Sequence, residues 1–267
     1  MIWVDEISQL DVGLLAQLNK LTFTGVRWLL SGDFHQFPPV HDAWKGAPVQ
    51  EGAFENSALL HRMAAGNVVT LTECRRSELG LYDFYASLIP GGSRHELPLA
   101  DCLKAAKEQF HYEGPCRWNL VISHQKRKKI DRELNLCNKP PEGAVWLEVK
   151  GKSTGANAAQ SMFLWPGLQL FGCLAGEKKG VRNQCLYTVK ELGENTATFE
   201  ELESTFTHEQ VKQWFRLSYA QTYASCQGTE FTGPLRLWDT ANVHFTRRHL
   251  FVALSRAKQA AFVDVRP

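Results

Sequence analysis

Two adjacent carboxylates, Asp5 and Glu6, close a short apolar run in the opening stretch MIWVDEISQL. Two acids at a strand end can divide the needs of phosphoryl transfer, a held divalent cation and an oriented attacking water. A lone Asp-Glu pair is also an ordinary strand end. A second stretch, SGDFHQFPPV at 31–40, follows the next apolar run and brings a Gly-Asp turn and Gln36 beside the acids. The Gln36 carboxamide can bond both a terminal phosphate and the attacking water, which suits it to report the phosphate's presence. A Pro-terminated turn accounts for Gly32 and Pro38–Pro39, but not for the pairing of the two stretches.

The elements that must position these groups follow from the apolar pattern. Ile2–Val4 reads as a buried strand, Leu14, Leu15, Leu18 and Leu21 recur at helical spacing, and VRWLLSGD reads as a second strand. Strand, helix, strand predicts a parallel βαβ unit whose ligand site lies beyond the carboxyl ends of the strands, where Asp5, Glu6 and Asp33 fall. A helix is expected at about 53–65, a strand at the start of VVTLTECRRS (68–77), and a helix in LGLYDFYASLI. RWNLVISHQKRKKIDRELN reads as strand then helix. From 140 to 200, short alternating runs between Gly/Pro turns predict a small antiparallel barrel. FRLSYAQTYASCQG and RRHLFVALSRAKQAAFVDV then return to α/β patterning.

Composition sets the outer bounds. The 267 residues are 44% apolar and 22% charged, as in an ordinary globular protein, and no run approaches a membrane span or a signal peptide. Seven scattered cysteines without a C-x-x-C pair predict reduced thiols in an intracellular setting rather than a zinc site or disulfide framework. Net charge is only +2, so nucleic-acid binding cannot be argued from the global balance. The local clusters HQKRKK at 124–129 and TRRH at 246–249 read first as solvated helix faces.

Taken together, VDEISQL and GDFHQFPPV resemble the second and third motifs of superfamily 1 DNA helicases of the RecD/Pif type. LTECRRS resembles the fourth motif, whose closing arginine is Arg76 by spacing from Leu71, with Arg75 the alternative. YAQTYASCQGTEF resembles the fifth; Thr222, Gln227 and Gly228 match, whereas Ala224 and Ser225 stand where His and Lys are usual. FVALSRAKQ is similar to the sixth and supplies Arg256. The resemblance implies RecA-like parallel sheets of the P-loop NTPase class, one partial and one complete, with a small inserted antiparallel β-barrel. Its boundaries would be 1–68 for the second half of the first motor domain, 69–139 and 201–267 for the second, and 140–200 for the barrel. Asn183 in GVRNQ stands where that barrel often has Asn-Gly.

The resemblance also implies roles. Asp5 holds magnesium through water, Glu6 is the base, Gln36 the sensor, and Arg76 and Arg256 are arginines of an ATP cleft, with Gln227 and Gly228 at the nucleotide. Single-stranded DNA would run over both domains, moved 5′ to 3′, and Phe37, His124, Gln125, Lys126, Thr222 and Tyr223 are candidate contacts. One part is missing: no G-x-x-x-x-G-K-[ST] occurs. The only GKS, Gly151–Ser153, has Trp146 where the first glycine belongs, and follows the acids rather than preceding them. The expectation is therefore a helicase portion that turns over ATP poorly unless a phosphate-loop half joins it, from the same gene or from another chain. A non-catalytic single-strand-binding remnant is the alternative.

Overall fold

In a computed structural model, residues 1–39, 42–44, 46–50, 52–149, 155, 158–174 and 176–267 are described. The Gly151–Ser153 GKS lies outside them. The chain folds as two compact units, one of residues 1–112, 226–232 and 243–263, the other of residues 113–225, 233–242 and 264–267.

The first unit begins as its pattern predicts. Strand Ile2–Val4 lies parallel to strand Trp28–Leu30, with helix Val12–Lys20 between them in sequence. Asp11 starts that helix by accepting a bond from the Leu14 amide at 2.8 Å, and Gly25 ends the following turn with a φ of 73°. Ile7, Leu15, Phe54 and Met63 form a small core against the half-buried faces of both strands. The opposite face of the ladder is open: Trp3 and Leu29, partners in register, are 65% and 50% exposed.

The expected helix at 53–65 is shorter, Ala58–Met63, because Ser57 caps it by accepting from the Leu60 amide. The strand expected at the start of 68–77 does not form. Val68, Val69 and Leu71 are 75–89% exposed and no described strand pairs with them, so β propensity has no ladder to join. Helices Leu79–Ala86, Leu99–Gln109 and Arg247–Leu254 complete the unit. Phe84 and Phe110 meet at 5.0 Å, and Tyr85 and Phe251 at 5.8 Å.

The second unit holds a four-stranded sheet in the order Ala220–Thr222, Trp118–Val121, Leu235–Leu237, Val263–Val265, the first three mutually parallel. Residues 118–121 are buried without alternation, as expected of a strand covered on both faces. Helix His124–Asn138 follows, capped by Ser123. An antiparallel sheet of five strands, ordered 202–207, 196–199, 186–192, 169–172, 215–217, is accompanied by a ribbon pairing Val145–Leu147 with Met162–Leu164. Phe199, Phe206 and Phe215 pack at its centre, Phe199 and Phe215 stacked at 4.4 Å. The antiparallel strands thus continue beyond residue 200 to Leu217. Among the described residues no helix is long and apolar enough to cross a membrane.

Candidate nucleotide site

The two acids are set by a close approach of backbones. The Ile7 amide bonds the Ser31 carbonyl at 3.0 Å, and a Cβ on Gly32 would lie 2.8 Å from both the Ile7 nitrogen and its Cγ1. Only glycine allows the two loops to meet here. Asp5 accepts from the Ser31 hydroxyl at 2.7 Å and from the Glu6 amide at 2.9 Å, which fixes its carboxylate. Trp3 in turn donates to the Ser31 hydroxyl at 2.9 Å. Glu6 sits in the left-handed region, φ 52° and ψ 43°, a conformation that a non-glycine residue adopts at some cost and that clusters at functional sites.

Asp33 organises the second loop. It accepts from the His35 amide at 2.9 Å, and the Gln36 Nε2 donates to it at 3.4 Å. The other end of that carboxamide, Oε1, is buried without a partner. Phe37 packs edge-on against His249 at 4.7 Å, and Gln227 Nε2 donates to the Phe37 carbonyl at 3.2 Å. Gly228 turns the chain with a φ of 75°. Burial, then the neighbouring Arg248, lowers the His249 imidazole to about 4, so it is neutral and accepts from the Thr246 amide through Nδ1 at 3.1 Å.

The two arginines arrive on segments that run side by side. Ser77 donates to the Ala257 carbonyl at 2.7 Å and the Glu78 amide to the Lys258 carbonyl at 3.0 Å. Arg76 donates from Nε to Glu230 at 2.9 Å and from Nη1 to the Ser255 carbonyl at 3.2 Å. Arg75 instead reaches Glu73 at 2.8 Å with a side chain 84% exposed. Arg256 is 2% exposed, and its Nε is buried without a partner. Burial lowers its pKa, with Arg76 adding repulsion while Cys226, Glu6 and Asp33 favour the charge. Asp5, Glu6, Gln36, Arg76, Gln227, Gly228 and Arg256 therefore all lie in the first compact unit.

Sequence reasoning did not assign Glu230, although it lies in the quoted YAQTYASCQGTEF. It bonds Arg76 and also approaches Lys258 at 3.3 Å, and its carboxyl is held below the usual range, chiefly by the Arg76 hydrogen bond. No short-range signal marks it, because its partner is 154 residues away.

The strand candidates other than Phe37 lie in the second unit. His124 and Gln125 open helix His124–Asn138, and burial with Arg127, Arg216 and Lys128 lowers the His124 pKa. Lys126 is tied to Asp239 at 2.6 Å and stands over the Trp238 ring at 4.8 Å. Thr222 is buried and shares a bond with Ser225 at 3.0 Å. Tyr223 is only 1% exposed and spends its hydroxyl on the Trp238 carbonyl at 2.7 Å, so its ring belongs to the core rather than to a base-stacking surface. Ser225, where the fifth motif usually has Lys, closes a local turn with Thr222.

No protein-family model and no curated protein sequence matches the chain. Solved structures do. The Pif1 helicase from Candida albicans superposes with a TM-score of 0.61 at 16% identity, over 99% of this chain and 72% of that one. Pif1 helicase from Bacteroides in complex with ADP-AlF3 and ssDNA gives 0.66 at 19% identity, over 99% and 70%. Bacteroides Pif1 bound to ssDNA gives 0.67 at 18% identity, over 98% and 69%. With parallel and antiparallel sheets in the places described, the chain has the α/β, RecA-like fold of these Pif1 helicases.

Proposed function

We propose that the chain is the water-activating and arginine-bearing portion of an ATP-dependent DNA helicase that moves 5′ to 3′ on single-stranded DNA. The observation that carries this reading is the convergence, in one compact unit, of Asp5, Glu6 and Gln36 with Arg76 and Arg256. Two buried polar atoms there lack partners, Gln36 Oε1 and Arg256 Nε. A buried donor and a buried acceptor left unmet cost roughly 1–3 kcal/mol each, and a polyphosphate with its attacking water supplies what both need. The Bacteroides neighbours carrying ADP-AlF3 and ssDNA favour nucleotide and single strand as the two ligands.

In this mechanism Glu6 accepts the proton of the attacking water, which Gln36 holds in line with the terminal phosphate. Arg76, held by Glu230, and Arg256 meet the charge that spreads over the phosphoryl oxygens. Asp5 fits a magnesium ion. Among the described residues no cluster of three metal-ligating side chains occurs, and magnesium typically takes one or two carboxylates and completes its shell with water and phosphate. When bound, the ion neutralises phosphate charge. On this reading residues 1–68 belong to a first motor domain, 69–139 and 201–267 to a second, and 140–200 to an inserted barrel; motif order is the basis of that division.

Because no phosphate-cradling loop occurs among the 267 residues, the phosphates are held by a loop from outside them, in the same or a second chain. The test is single-strand-stimulated ATP turnover by this chain, alone and joined to a phosphate-loop half. Turnover is expected only in the joined form, with Glu6→Gln lowering it roughly a hundredfold or more. Joined protein whose turnover is indifferent to Glu6→Gln would refute the reading.

A further inference from the structure

The basic cluster HQKRKK contributes its first three residues to the candidate strand contacts, and the rest of it faces elsewhere. Lys128, Arg132 and Leu136 follow one another at i, i+4 spacing along helix His124–Asn138, with Lys129 beside them. They line a cavity of about 680 Å³ with Trp146 and Gln160. Trp146 is 48% exposed and tilts against Phe163 at 4.8 Å, while Lys139 stands 5.1 Å over the Phe163 ring.

The helix and the aromatic ribbon are clamped together. Asn135 donates to the Phe163 carbonyl at 2.9 Å and accepts from its amide at 2.7 Å, as a neighbouring strand would. This fixes a basic face and an aromatic face around one opening. Among the described residues only Lys129 of the three cations has a carboxylate within ion-pair distance, Glu133 at 3.9 Å, which also lines the cavity, and Lys128 donates to the Gly155 carbonyl at 3.1 Å. Gln160 Oε1 is buried without a donor.

We propose that this cavity is a second docking site for single-stranded nucleic acid, separate from the candidate contacts His124, Gln125 and Lys126. Phosphates meet Lys128, Lys129 and Arg132, a base stacks on the exposed face of Trp146, and a base N–H donor satisfies Gln160. A polypeptide of acidic residues would satisfy the charges, and its backbone N–H groups could meet Gln160, but it offers no flat ring to stack on Trp146. The site shares its ligand class with the function proposed above but does not depend on ATP turnover.

The experiment measures binding of a labelled single-stranded oligonucleotide by fluorescence anisotropy across a salt series. The proteins are the unaltered chain, Lys128→Ala/Arg132→Ala, Trp146→Ala and, as a separate probe, Lys126→Ala. Losing two phosphate contacts is expected to flatten the plot of log K against log salt by about 1.4. Losing one stacked base is expected to weaken binding roughly 5- to 150-fold. A bromodeoxyuridine-substituted strand is expected to crosslink at Trp146. The proposal is overturned if slope and affinity are unchanged in the first two variants, if poly-glutamate competes as well per charge, or if crosslinks form only elsewhere. Binding lost in Lys126→Ala but untouched by the other variants overturns this site alone and leaves the proposed motor reading standing.

Discussion

Replacing Arg256 by methionine is expected to make the unliganded protein more stable while removing one arginine of the proposed ATP site. Arg256 is 2% exposed and carries a buried Nε without a partner. Relief of that unmet donor is worth about 1–3 kcal/mol, and more when the group is charged. Against it stand the attractions of Glu6 and Asp33, each worth about 0–1 kcal/mol in partly hydrated surroundings, while the repulsion from Arg76 is relieved at the same time. Methionine keeps most of the apolar stem, so little cavity opens. The net expectation is a gain of about 1 kcal/mol, or a rise in Tm of about 2–4 °C. Arg256→Ala, which leaves a hole, is expected to move Tm downward. Thermal unfolding of the nucleotide-free chain followed by circular dichroism measures both. In the protein joined to a phosphate loop, either change should lower turnover roughly a thousandfold or more. A Tm for Arg256→Met that falls as far as that of Arg256→Ala would refute the reasoning, because it would show the guanidinium to be a satisfied part of the core.

Gly32→Ala is expected to cost about 1–3 kcal/mol in urea unfolding, because its Cβ would press on Ile7 backbone at 2.8 Å and part the two carboxylate-bearing loops. Asp131→Asn is expected to lose about 3–5 kcal/mol, since it removes the carboxylate that offsets the charge of the Arg127 guanidinium, 1% exposed and bonded to Asp131 at 2.8 Å; an apolar replacement of both partners should recover most of the loss. The folded His249 binds its proton only below about 4, whereas an unfolded histidine does so below 6.5. The unfolded state therefore binds more protons in that interval, and His249 subtracts stability as pH falls through it; His249→Gln is expected to flatten the pH dependence of Tm there.

How much of this could be read from the sequence depends on how local the cause was. The opening strand, helix and strand lie where the apolar periodicity puts them, because Asp11 and Gly25 mark the intervening helical segment and the strands pair through one short crossover. The antiparallel strands between 145 and 199 also follow their alternation. Helix Leu99–Gln109 escaped, since Pro98 stands at its start without a side-chain cap to announce it. Val68–Leu71 has strand residues and no ladder, a failure that propensity cannot foresee. At the site, Gln36 and Arg256 were legible as motif members, but the unmet Oε1 and Nε are tertiary facts. Tyr223 reads as a candidate contact because it lies beside the match to the fifth motif; the Trp238 carbonyl, 15 residues on, makes it a core residue.

The open face of the first strand pair bears on how the protein behaves in a tube. Trp3 and Leu29 stand side by side above a ladder that is two strands wide among the described residues, and such short parallel ladders with bare apolar faces recruit other strands. Colloidal behaviour should therefore depend on concentration. Light scattering is expected to rise with protein concentration and to fall in Trp3→Lys, where a charge replaces an exposed indole. Trp3 also donates to Ser31, which fixes Asp5, so a change that improves handling would loosen the carboxylate at the centre of the site. Solubility and chemistry here share one hydrogen-bonded indole.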